Sequence, residues 1–253
     1  MGYDYLIWIW IIVFGACIGS FLNVVIARLP KGEFFSKVRS YCPDCGKTIR
    51  WFDLFPVISW LALKGRCRDC KARIPVRLPF VEAAGALLAA GCFWLYGFDI
   101  RSALAFGVVM ILLAVSLIDL DTTEIPDSLI IALIPFAAVA VWGWQEIALT
   151  ERVIGFFAIS LPMLLISLVI SGAFGGGDIK LIAVCGFLLG WQNALLAFFI
   201  ALLLGGGYAI FLMASRRRGR KEHMVFGPAL CAGIAIALIF GNEIIDFYIH
   251  LFI

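Results

Sequence analysis

Apolar residues in this chain come in long unbroken runs, near residues 5–27, 78–97, 102–118, 128–145, 153–173, 179–191, 194–214 and 225–249. A helix needs roughly 20 apolar residues to cross the hydrocarbon core of a bilayer, so the runs predict an all-α polytopic membrane protein with about eight transmembrane helices. The run at 179–191 is the shortest, and its boundary with the next can be redrawn around Gly190–Asn193. One strongly polar stretch interrupts the pattern between the first and second helices. Three parts are therefore expected: a first transmembrane helix within 1–29, a compact insert over 30–77, and a helical bundle over 78–253.

Composition sharpens this picture. With 63% apolar residues, a mean hydropathy of +1.04 and 15% charged residues, the chain cannot cover itself with a water-facing surface. Membrane lipid is its expected surrounding, and no nucleic acid is expected as a partner. Tyr5–Ala27 lacks a preceding basic region and a convincing cleavage site, and is expected to remain as a membrane helix. The basic residues are unevenly placed. Eighteen of the twenty lysines and arginines fall within Arg28–Arg77, at Lys180 or in Arg216–Lys221. By the positive-inside rule the amino terminus is expected outside, the insert and those loops are expected to face the cytoplasm, and Arg101 and Arg152 lie on the opposite side.

The eight cysteines divide into two kinds. Cys17, Cys92, Cys185 and Cys231 stand alone in apolar runs, where cysteine behaves as a small hydrophobe. Cys42-Pro-Asp-Cys45-Gly and Cys67-Arg-Asp-Cys70 lie in the polar insert, with 21 residues between the inner cysteines. Two C-x-x-C knuckles at that separation fit a tetrahedral four-thiolate zinc site, each supplying two sulfurs from one tight turn. Disulfides are the rival reading, and a reducing cytoplasm disfavours them. A closed four-sulfur shell leaves no open coordination position, so the expected zinc is structural and staples an insert too small for a large core.

Acidic residues at membrane-helix ends are costly unless used or paired. One cluster, Asp119-Leu-Asp121-Thr-Thr-Glu124-Ile-Pro126-Asp127, ends the third span; another, Gly175-Gly-Gly177-Asp178-Ile-Lys180, ends the fifth. Two complete spans separate them, so both emerge on the same side. Two neighbouring aspartates tend to share one proton, so that one can activate water while the other polarises a carbonyl. His223 and His250 are not placed to act as bases. Asp127 after Pro126 also reads as a helix start and cap. A proton or ion carrier uses paired carboxylates too, so at this level both readings stand.

Asp119 with Ile125-Pro126-Asp127, and Gly175-x-Gly177-Asp178-x-Lys180 further on, resemble the paired motifs of the type IV prepilin peptidases, intramembrane aspartic proteases with a G-x-G-D signature. Gly19-Ser-Phe-Leu-Asn23-Val-Val-x-x-Arg28-x-Pro30, the two knuckles and Phe226-Gly227-Pro228-Ala229 are similar to further motifs of that family. The resemblance implies a bifunctional enzyme of the bacterial inner membrane, serving pilus or type II secretion assembly. It would cleave prepilins or pseudopilins on the cytoplasmic face, after glycine and before phenylalanine. It would then methylate the new amino terminus with S-adenosylmethionine. Carried over by motif, the catalytic pair is Asp119 and Asp178, with Asp121 as second choice. Gly175, Gly177, Lys180, Pro126 and Asp127 shape the site. Asn23, Arg28 and Glu82 are candidates for the methyltransferase; read structurally, Asn23 bonds between helices and Arg28 anchors at the interface.

Overall fold

The computed structural model describes residues 2–33, 39–170, 172–214 and 225–252; the basic run Arg216–Lys221 and His223 lie outside them. The elements follow the apolar runs: α1 (Gly2–Arg28), a 3-10 turn (Trp51–Leu54), α2 (Ile58–Ala62), α3 (Arg77–Tyr96), α4 (Ile100–Thr122), α5 (Asp127–Gly143), α6 (Leu149–Ala158), α7 (Ser160–Val169), α8 (Gly176–Ala214) and α9 (Gly227–Phe252). Among the described residues the only β pairing is two isolated bridges in the insert, Tyr41 with Thr48 and Arg66 with Arg73. Six stretches are long and apolar enough to cross a membrane, with α6 and α7 together forming one of them, and α5 is a shorter apolar helix. The chain is a polytopic membrane protein. It divides into two compact units, residues 1–102 and 103–253.

In the first unit α1 and α3 run antiparallel with backbones in close approach. Side chains at Gly15, Gly19 or Gly85 would strike the opposite backbone, the small-residue packing that holds helices together where no hydrophobic effect does so. Asn23 Nδ2 donates to the Leu78 carbonyl at 3.0 Å, closing the polar end of the pair. In the insert, a ten-residue pattern occurs twice, at 40–49 and 65–74. Cys42 and Cys67 donate their N–H groups to Lys47 and Ala72, and Ile49 and Ile74 return theirs to Ser40 and Gly65. Gly46 (φ 70°) and Lys71 (φ 61°) occupy the same left-handed turn position. The first knuckle uses the residue best suited to that conformation and the second does not.

In the second unit the expected spans at 179–191 and 194–214 form one element, α8, broken at Gly190 (φ 76°, ψ 168°). A straight helix of this length would reach about 58 Å, roughly twice the hydrocarbon thickness. Instead the chain doubles back. Phe174, just before α8, and Phe198, beyond the break, both pack on Phe226, with ring centroids 6.2 and 6.4 Å away. Counting α8 as two crossings and adding α5 gives the eight expected. The fifth expected span, 153–173, closes earlier, at Val169, because Ile170 turns extended and Gly172 adopts φ 83°. The glycine-rich stretch consequently opens α8 rather than ending the fifth span, and Asp119 lies inside the last turn of α4 rather than beyond it.

Arg152 and Arg101 were grouped as basic residues of the outer side, but their surroundings differ. Arg152 is fully buried. Its guanidinium donates to Ala140 and Trp144 at the end of α5, at 2.9 and 2.7 Å, and to Leu188 just before the Gly190 break at 2.9 Å. One cation thus satisfies the terminal carbonyls of two helices at the ends where positive charge is favoured. Arg152→Leu strands those carbonyls in a region without water and should cost about 3 kcal/mol or more. Thermal unfolding in detergent should show a clearly lowered midpoint for this variant and a nearly unchanged one for Arg101→Leu, whose part-exposed side chain pairs with Asp99 at 3.7 Å.

Candidate active site and metal centre

Asp178 stands at the third position of α8, and its carboxylate accepts the N–H of Gly175, the residue before the helix. This is the acidic half of a capping box, so local helix chemistry holds the side chain in place. Asp119 comes from the other kind of helix end. It sits in the last turn of α4, where an acid gains nothing from the macrodipole, and its carboxylate accepts the N–H of Gly227 at the start of α9. Asp119 is 6% exposed and Asp178 9%. Oδ1 of Asp178 is buried and makes no hydrogen bond among the described residues.

Both carboxylates line one cleft of about 430 Å³, near enough to interact electrostatically. Asp119 and Thr123–Asp127 form one side, and Gly175–Asp178 the other. Pro126, Asp127, Gly175 and Gly177 therefore meet the two aspartates. Lys180 closes the rim by donating to both oxygens of Asp127, at 2.8 and 2.9 Å, so Asp127 bridges two helices in addition to starting α5. Asp121 is exposed and does not line the cleft.

The glycines here have separable roles. A side chain at Gly177 would press on Ile125, with its Cβ 2.8 Å from that of Ile125, whereas one at Gly176 meets nothing. At Gly227 a Cβ would collide with the carboxylate of Asp119. No role for Gly227 followed from the sequence, because a contact between α4 and α9 leaves no local pattern. Misplacing a reacting group by an ångström can cost about 100-fold. Gly177→Ala and Gly227→Ala should therefore lower peptide cleavage by about that factor, while Gly176→Ala stays near the parent rate in the same assay.

The first unit carries the cysteine cluster. All eight cysteines are free, and the sulfurs of Cys42, Cys45, Cys67 and Cys70 lie within 4.8 Å of one another. Cys42 and Cys70 are 3.8 Å apart; zinc bonds of about 2.3 Å place tetrahedral sulfurs about that far apart. The N–H groups of Cys70 and Asp69 pull the Cys67 thiol down to about 7. The Ala72 N–H also favours the Cys70 thiolate, but desolvation and hydrogen bonds from the other three cysteines outweigh it and push Cys70 up to about 12. Four thiols this close cannot all ionise without a cation among them. The donor set fits a structural zinc.

The three methyltransferase candidates lie in this unit, each bonded to backbone: Asn23 to Leu78, Arg28 to the Arg39 carbonyl at 3.0 Å, and Glu82 to the Val57 N–H at 2.7 Å.

A family model described as the bacterial peptidase A24 N-terminal domain matches residues 13–96, and one described as the type IV leader peptidase family matches residues 104–210. The chain is 32% identical over 239 residues to a prepilin leader peptidase/N-methyltransferase of Bacillus subtilis (strain 168), covering 94% of this chain and 96% of that one. It is 36% identical over 262 residues to one from Burkholderia pseudomallei (strain 1026b), covering 91% and 84%. With one from Pseudomonas aeruginosa PAO1 the identity is 33% over 267 residues, covering 94% and 92%. No solved structure matches. Two family models and relatives aligned along almost the whole chain carry one conclusion: this protein belongs to the type IV leader peptidase family.

Proposed function

We propose that this chain is an intramembrane aspartic endopeptidase that removes the leader of type IV prepilins or pseudopilins. Cleavage takes place on the cytoplasmic face, after glycine and before phenylalanine. The observation that carries the reading is the meeting of Asp119 and Asp178 in one cleft. In the proposed reaction the pair holds a single proton. The ionised carboxylate takes a proton from water as its oxygen attacks the scissile carbonyl, and the protonated one donates to the carbonyl oxygen. Collapse of the tetrahedral intermediate then breaks the C–N bond, and the leaving amine receives a proton. Glu124 and Asp127 at the rim suit the basic leader peptides of such substrates.

The second proposed activity is methylation of the new amino terminus, with S-adenosylmethionine supplying the methyl group. We assign it to the first unit, with Asn23, Arg28 and Glu82 as candidate residues and the zinc holding the insert folded. The functional parts are the first helix at 1–29, the zinc insert at 30–77 and the protease bundle at 78–253. The proposed orientation places the amino terminus in the periplasm and the chain in the bacterial inner membrane, beside pilus or type II secretion machinery. The test is incubation of the purified protein with a prepilin and labelled S-adenosylmethionine, followed by mass measurement. A product shortened by the leader and heavier by one methyl group supports both activities; an intact prepilin refutes the first.

A further inference from the structure

The insert carries an apolar surface that neither the zinc site nor the aspartate cleft uses. Trp51, Phe55, Ile58 and Leu61 are 75%, 53%, 69% and 61% exposed, an unusual concentration for a segment between charged knuckles. The other side of the segment is well partnered. Asp53 pairs with Arg68, bonded at 2.6 Å, and Trp60 donates to the Ile74 carbonyl at 3.3 Å while its ring covers Gly65. Ile58 and Leu61 lie one helical turn apart on α2 and so share a face. The segment has one side built against the second knuckle and one side left apolar and open.

Its depth is fixed by a single bond. The Val57 N–H donates to Glu82 at 2.7 Å, and Glu82 lies five residues into α3, about 7–8 Å past the charged start at Arg77. Gly19 of α1 packs at the same level, nine residues or about 13 Å before the basic end of that helix at Arg28. The corner between Phe55 and Ile58 is thus held inside the level of Arg28 and Arg77, where headgroups meet acyl chains. Val57 adopts φ 60°, ψ −49°, a conformation that β-branched residues avoid. The bond to Glu82 holds the backbone in that turn. Arg50 precedes the apolar run and Lys64 follows it, both exposed, the basic flanks that favour anionic lipid.

We infer that Trp51–Ala62 is an interfacial anchor whose exposed side chains insert into the cytoplasmic leaflet of the chain's own bilayer, so that the zinc insert lies on the membrane rather than free above it. The inference needs that α1 and α3 span the membrane, takes its choice of leaflet from the proposed orientation, and stands or falls apart from the protease reading. Its test places the photoreactive residue benzoylphenylalanine at Ile58 of the full-length protein in vesicles containing phosphatidylglycerol, with zinc content confirming that the insert stays folded. Leu168, 74% exposed on α7, is the lipid-facing reference, and Lys71 at the tip of the second knuckle is the charged one. Lipid adducts at Ile58 should come within about threefold of those at Leu168 and exceed those at Lys71 at least about tenfold. Equal lipid yields at Ile58 and Lys71 overturn the inference. So does an adduct at Ile58 formed with an added prepilin in place of lipid, which would make the surface a substrate dock.

Discussion

Asp119→Asn and Asp178→Asn should each reduce prepilin cleavage by at least about 10³-fold, while Asp121→Asn leaves it within about threefold of the parent. The expectation rests on what asparagine keeps and what it loses. Its amide oxygen can still accept the Gly227 or Gly175 N–H that holds each carboxylate, so both variants should insert, extract and bind zinc as the parent does. What disappears is the ability to hold or release a proton. With the pair reduced to one carboxylate, no partner remains either to activate water or to polarise the carbonyl. Because the two residues act as a unit, the double variant should be no slower than either single one. The parent rate should be bell-shaped in pH, since both the fully ionised and the fully protonated pair are inactive, and the two limbs belong to the pair rather than to either residue. Asp121 is two positions from Asp119 on the same helix, faces outward and stands outside the cleft. Loss of activity in Asp121→Asn together with retention in Asp119→Asn would move the reacting carboxylate by half a turn and overturn the assignment.

The features legible in the sequence were those set by local composition. Apolar runs marked the membrane helices because the bilayer demands length and apolarity. The two knuckles marked the metal cluster because a zinc ligand set needs its sulfurs in tight turns. The proximity of Asp119 and Asp178 followed from parity, as two intervening crossings return the chain to the same side. Features that depend on single backbone conformations or on contacts between distant helices were not legible. The break at Gly190 was legible only as a boundary between two apolar runs near Gly190–Asn193, because the single positive φ that makes it leaves no trace in composition. The reassignment of Gly175–Gly177 from the end of one helix to the start of the next depends on where the chain turns extended at Ile170. Arg152 looked like a loop charge because its neighbours Thr150 and Glu151 are polar. Only the convergence of α5 and α8 on it shows why a buried cation stands there.

These features bear on the cleft. The part of α8 before Gly190 has about 14 residues and extends about 21 Å, well short of the hydrocarbon thickness. With the Gly190 turn at the far end, its first turn need not reach the opposite bilayer boundary. Gly177 lets the Ile125–Pro126 linker close against this first turn, and the bridge from Lys180 to Asp127 holds α5 and α8 together at that side. The placement of Asp178 beside the linker thus depends on one glycine contact and one ion pair.

Replacing Cys42 or Cys70 by Ser should empty the metal site and unfold the insert before it alters peptide cleavage. Three thiolates bind zinc far more weakly than four, and the insert has little else to hold it. Outside the cluster its ties include short bridges, the Asp53–Arg68 and Lys47–Asp69 pairs, the Trp60–Ile74 bond and the Glu82 bond. Lys47 and Arg68 are exposed enough that solvent weakens both pairs. Metal binding is here folding free energy, so loss of zinc should appear as protease sensitivity within residues 39–76 and a fall in zinc from one per chain toward none. Chelators should act likewise on the parent. Acidification should too, because protons compete with the metal for the thiolates and zinc is released as the pH falls. Cleavage should outlast these changes, since Asp119, Asp178 and both carboxylate-holding glycines belong to the other compact unit. Methyl transfer should fail first if the first unit performs it. Measuring zinc, insert proteolysis, cleavage and methylation on one preparation separates these outcomes. A Cys70→Ser protein that has lost its zinc yet keeps a protease-resistant insert would show that the metal does not hold the fold. Loss of cleavage in step with zinc, with the bundle intact, would bring the metal into the peptidase reaction.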